Sequence, residues 1–119
     1  MKIILLDPGL KHSQGHNYAT DLHIAKYFKK NNFNVEVLCL KTIDRETEEK
    51  FLKNKIKLKK IFDISPYSDV PYKNDDTFIK SVQITVNNIE LYLKNNSFPD
   101  IAIWAPCNFP LQVFSNLFL

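Results

Sequence analysis

Gly15-His16-Asn17 stand together at the mouth of a helical stretch, where free backbone N–H groups and the positive end of the helix dipole favour an anion. A histidine placed there could hydrogen-bond a hydroxyl or a phosphate. The same residues also suit a plain structural role, with Gly15 permitting the turn and His16 and Asn17 capping the helix. Trp104, the single tryptophan, closes an apolar run just before a loop that contains Asn108. In that position it either stacks on a sugar or nucleoside face or packs in the core.

Other chemistry-bearing residues point to less. His12, His16 and His23 invite a metal reading, but the first two precede the helix interior, the third falls on its solvent side, and no third ligand has a fixed spacing. No metal site is expected. Cys39 and Cys107 lie in or beside apolar segments without the spacing of a zinc site or a disulfide framework, and read as buried thiols. A dinucleotide site would need a glycine-rich turn after the first strand and usually an acid at the end of the second. Here the first loop has only Gly9 and Gly15, and the second strand ends Cys39-Leu40-Lys41. No Gly-Lys-Ser/Thr opens a helix either, so no bound cofactor is expected. Lys50, Lys53, Lys55, Lys57, Lys59 and Lys60 form the most biased stretch, which reads as a solvated face or as a contact for anionic lipid. Aromatics are not interleaved on that face, so nucleic acid is not an expected partner.

The elements that must position these residues follow from the apolar pattern. Ile3-Ile4-Leu5-Leu6, ended by Asp7-Pro8-Gly9, reads as a strand buried on both faces. Residues 8–15 form a loop, and a helix over 16–31 carries Tyr18, Leu22, Ala25 and Phe28 on one stripe, with Asn17 as its cap and Asp21 as an anomaly within the stripe. Asn31, Asn32 and Asn34 end the helix, since Asn accepts the left-handed cap. A second buried strand spans 35–40. A helix over 45–54, capped by Asp44, has only Phe51 and Leu52 as apolar content. The alternation Ile56-Lys57-Leu58-Lys59, extended through Phe62, predicts a strand with one charged face at a sheet edge. Residues 63–76 read as an irregular excursion. A helix from Thr77 to Asn95, capped by Asp75 or Asp76, has Phe78, Val82, Val86, Ile89 and Leu93 on one stripe, with Thr85 and Tyr92 beside it. A fourth strand covers 101–104, and 111–119 could begin another helix.

Strands alternating with helices imply a Rossmann-like α/β domain: three layers around a parallel sheet in the order 3-2-1-4, incomplete at its C-terminal end. In that order the chain reverses direction across the sheet between strands one and four, and a crevice opens at their carboxyl ends. Residues 8–17 and 105–110 are expected to face it. The whole chain of 119 residues, 45% hydrophobic and 24% charged with a formal net charge of +3, fits one such domain. Its opening apolar run is too short for a signal peptide, and no stretch approaches the roughly 20 apolar residues of a membrane span, so a cytoplasmic protein is expected, with peripheral membrane contact still allowed.

Asp7-Pro8-Gly9-Leu10, Gly15-His16-Asn17-Tyr18, Leu22, Ala25 and Val35-Glu36-Val37-Leu38 together resemble the start of GT-B glycosyltransferases of the large retaining, family-4-like group. Pro99-Asp100-Ile101 before Ala102-Ile103-Trp104 resembles a later strand entry of that family. The resemblance implies the acceptor-side N-terminal domain of a sugar transferase, acting with a nucleotide-sugar co-substrate held by a separate donor-binding domain or subunit. It implies that Gly15 and His16 face donor phosphate or acceptor, and that Trp104 to Asn108 line the acceptor side. The family's Glu-x7-Glu signature and its donor domain are absent from these residues. The expectation is therefore a truncated or split transferase, inactive alone. A non-enzymatic Rossmann-like binding or interaction module is the alternative.

Overall fold

The computed structural model of the chain describes residues 1–14, 16–68 and 73–104. Strand β1 (Lys2–Leu6) is followed by α1 (His16–Lys30), β2 (Asn34–Leu40), α2 (Arg45–Lys53), β3 (Lys57–Phe62), α3 (Asp75–Asn95) and β4 (Ile101–Trp104). The four strands form one sheet in the order β3-β2-β1-β4, with every pair parallel. This is the expected Rossmann-like α/β architecture. The last expected helix, over 111–119, and the turn between Pro106 and Pro110 lie outside the described residues.

Alternation along the central strands makes the three layers. Ile3, Leu5, Val35, Val37 and Cys39 face one side, where Leu10, Ala25, Ile43 and Phe51 complete a buried cluster under α1 and α2. Ile4, Leu6, Leu38 and Leu40 face the other, joined by Phe62 and by Ile89 and Tyr92 of α3. Strands β1 and β2 are buried on both faces because both faces are covered, with Glu36 of β2 as the charged residue among the buried ones. The Cys39 thiol is fully buried, and burial pushes it up to about 12. Cys107 lies outside the described residues.

Local chemistry sets the helix ends. Helix α1 stops at a residue in left-handed conformation, Asn32 (φ 67°), with the Phe33 N–H reaching back to the Phe28 carbonyl at 3.0 Å. Asp44 caps α2 as expected, accepting from the Thr47 N–H at 2.8 Å. The cap of α3 differs from expectation. Asn74, not Asp75 or Asp76, accepts from the Thr77 N–H at 2.9 Å, while the Thr77 hydroxyl accepts from the Asn74 N–H at 3.1 Å. This reciprocal box starts the helix two residues early and leaves both aspartates in the first turn, where the dipole favours them.

The helix faces are also rotated from the expected stripes. On α3 the fully covered residues are Ser81, Thr85, Ile89 and Tyr92, while Phe78, Val82, Val86 and Leu93 are only half-buried. Small hydroxyl residues can face the sheet because they bond within their own helix: Ser81 Oγ donates to the Thr77 carbonyl at 2.8 Å and Thr85 Oγ1 to the Ser81 carbonyl at 2.9 Å. On α1 the buried centre is Asp21 with Ala25, and the aromatic and leucine residues of the expected stripe flank it. The charged edge forms as expected. Lys57, Lys59 and Lys60 are exposed along β3, with Lys60 paired to Glu48 at 2.7 Å.

Candidate functional site

Helix α1 and the loop before it begin where β1 ends. The Asp7 N–H still pairs with the Leu38 carbonyl at 2.9 Å, so Asp7 is fixed as a one-residue extension of the sheet. Its side chain is fully buried. One carboxylate oxygen accepts from the Gly9 N–H at 2.9 Å, and the Asn17 amide donates to both oxygens at 3.2 and 3.1 Å. The strand end, the loop and the start of α1 thus converge on one carboxylate.

The rest of the loop is held at its base. Leu10 is fully buried, the Lys11 carbonyl accepts from the Asp44 N–H at 2.8 Å, and Ser13 Oγ accepts from Lys50 Nζ at 3.2 Å. Lys50 also lies 5.3 Å from the centre of the Tyr18 ring and 3.2 Å from Glu46, so Lys50, like Lys60 with Glu48, serves the fold. Across from this loop, residues 65–68 make a tight turn. Tyr67 N–H donates to Ser65 Oγ at 3.1 Å and Ser68 Oγ to the Ser65 carbonyl at 2.8 Å. The half-exposed Tyr67 ring lies over Gly9 so closely that a side-chain carbon at residue 9 would collide with the ring and crowd the Asn17 amide.

Between loop and turn lies a cleft of about 370 Å3, lined by Gly9, Lys11, His12, Gln14 and Asn17 on one wall and Ser65, Tyr67 and Ser68 on the other. Its size falls within the range of small-ligand sites. Amide, hydroxyl and cationic groups provide hydrogen bonds, and the Tyr67 ring provides one apolar plane.

The sequence-derived candidates occupy this region unevenly. Asn17 lines the cleft, but it is the second residue of α1 rather than its cap, because its amide is engaged by the buried Asp7 carboxylate. His16 is the first residue of α1. Gly15 and Asn108, with the whole of 105–110, lie outside the described residues. Trp104 ends β4 beside Leu6, half-buried and packed against the cluster on the α3 side. His12 stands on the cleft wall, whereas His23 is exposed on the outer side of α1. Among the described residues no group of three or more His, Cys, Asp and Glu side chains is placed to hold a metal ion. No helix of the described residues is long and apolar enough to cross a membrane.

Two features escaped sequence reasoning, and a third was seen without its role. Tyr67 and its serines sit in a stretch whose prolines signal only irregularity, and their position over the first loop is a tertiary fact. Asp7 reads as a strand terminator, although its place at the end of a buried strand was a usable signal. Asp21 was visible as a polar residue inside an apolar stripe. It is fully buried beside Asp7, and burial first, then hydrogen bonding to and the charge of Asp7, raise its carboxyl far above the usual carboxylate range. The chain matches no family model, no curated protein and no solved structure.

Proposed function

We propose that this chain is the acceptor-side domain of a sugar transferase built on the GT-B plan, and that the cleft at the end of β1 holds the sugar acceptor. The observation that supports this most directly is the cleft's composition. Among the described residues its lining combines hydrogen-bonding side chains with one aromatic ring, Tyr67, which suits a pyranose with hydroxyls on its rim and an apolar face. The cleft lies between the segments that follow β1 and β3, at the carboxyl ends of the parallel strands, the end of an open α/β sheet where ligands bind. Within this reading Gly15, His16 and Asn17 contact acceptor or donor phosphate, and Trp104 and Asn108 extend the acceptor side. A donor-binding domain or subunit brings the nucleotide-sugar, and positioning between the two parts supplies the rate enhancement. The exposed Lys57 and Lys59 would let the domain rest on an anionic membrane surface carrying a lipid-linked acceptor.

The test is amide-resolved NMR of the labelled chain titrated with a panel of mono- and disaccharides and, separately, nucleotide-sugars. Saturable shifts at Gly9, Asn17 and Tyr67 with a saccharide are expected, lost in Tyr67→Ala and in Gly9→Ala, with no sugar transfer by the chain alone. Saccharides that leave those amides unmoved would overturn the acceptor assignment. Binding that persists while no donor-binding partner restores transfer would identify a binding module instead.

A further inference from the structure

Both oxygens of Asp21 lack a hydrogen-bond donor, although the side chain is fully buried. The polar group beside them is a second fully buried carboxyl, Asp7. Two ionised carboxylates in contact, each removed from water, repel strongly, and a carboxylate without a donor bears the whole cost of its desolvation. One proton resolves both difficulties, because a protonated carboxyl donates to an ionised one. The partners decide where the proton resides. Asp7 already accepts from the Gly9 N–H and the Asn17 amide, which suits the ionised form, whereas Asp21 has no such donor.

We propose that Asp7 and Asp21 share a single proton, carried by Asp21 and donated to Asp7, and that this proton locks the first loop and the start of α1 to the end of β1. The proposal concerns the pair itself and stands whether or not the cleft binds a sugar. Asp21 is the positioning residue. Asp7 passes the constraint to Gly9 and Asn17, which line the cleft. Among the described residues the Asn17 amide on α1 bonds Asp7, and the buried Cys39 thiol on β2 lies near enough that the charges of Asp7 and Asp21 raise it further, with Lys60 and Glu48 acting on it from β3 and α2. The thiol is raised by burial and stays neutral across the relevant range.

The linkage has a definite sign. Asp21 keeps in the folded state a proton that the unfolded chain releases above about pH 4. Its contribution to stability is therefore complete below that pH and declines as pH rises toward its folded-state value. Asp63 acts in the opposite sense, because Lys41 and Asn88 beside it lower its carboxyl, so its contribution is lost only in acid.

Denaturant unfolding of the full chain and of Asp21→Asn, from about pH 5 to about pH 8, tests this. The wild-type unfolding constant should rise about tenfold per pH unit relative to that of Asp21→Asn. The variant, whose amide can still donate to Asp7, should be the more stable protein throughout. Carbon-13 NMR of the aspartate carboxyls provides a second readout that does not require the variant to fold: the Asp21 carboxyl should remain protonated at neutral pH. Parallel pH slopes in the two proteins, or an Asp21 carboxyl that titrates near pH 4 as a free aspartate does, would overturn the proposal. So would stabilisation of the wild type by added magnesium or calcium that Asp21→Asn abolishes, since a metal ion and not a proton would then join the carboxyls.

Discussion

Helices α1 and α3 cover opposite faces of the same sheet, and both turn polar side chains inward, with opposite outcomes. On α3, Ser81 and Thr85 donate to carbonyls of their own helix, and the Tyr92 hydroxyl donates to Glu36 of β2 at 2.7 Å. On α1, Asp21 finds no donor. A hydroxyl carries its own hydrogen and can donate it to a carbonyl one turn back, as Ser81 and Thr85 do, whereas the buried Thr47 hydroxyl of α2 makes no such bond. An ionised carboxyl has no hydrogen to give, and the N–H groups of a helix interior are already used. It must meet a donor from elsewhere or take up a proton. The side of the molecule bearing the candidate site is thus the side with an unsatisfied buried carboxyl.

Substitutions that alter the two helices should sharpen this contrast. The largest effect belongs to Asp21→Asn, which should stabilise the protein by about 4 kcal/mol at neutral pH, because the unfolded wild type gains stability by ionising a carboxyl that the folded state keeps protonated. Tyr92→Phe should act in the other direction. It strips the buried Glu36 carboxylate of a donor and should cost about 2 kcal/mol in denaturant unfolding, while leaving saccharide shifts at Gly9 and Asn17 unchanged. A Tyr92→Phe protein as stable as wild type would mean that α3 also carries an unmet polar group. The smallest effect should come from Thr85→Val. Its hydroxyl bonds only within its own helix, so a methyl in its place should change stability by no more than about 0.5 kcal/mol. A larger loss would show that burying the hydroxyl on α3 depends on more than its bond to Ser81.

Much of the architecture was legible in the residues. Ile3-Ile4-Leu5-Leu6 and Val35-Glu36-Val37-Leu38 could only be strands covered on both faces, and the lysines of Lys57–Phe62 marked an edge. The faces of α1 and α3 were less legible, because apolar periodicity treats Asp21, Ser81 and Thr85 as interruptions when they are the residues nearest the sheet. The candidate site was half legible. Asn17 was singled out in the sequence and lines the cleft, but its engagement with Asp7, ten residues earlier, required the strand end and the helix start to be brought together.

What the sequence by itself determined is the order of elements and the parallel sheet with its strand order, because these follow from hydrophobic spacing, turn chemistry and the handedness of the crossover, all of which act locally or through the burial of whole faces. Only the tertiary structure decided what lines and underlies that crevice. Tyr67 over Gly9 and Asp21 against Asp7 are contacts between segments far apart in the chain or on different elements. Whether a buried carboxyl is charged depends on the donors and charges that folding places within a few ångströms, and residue type does not specify them.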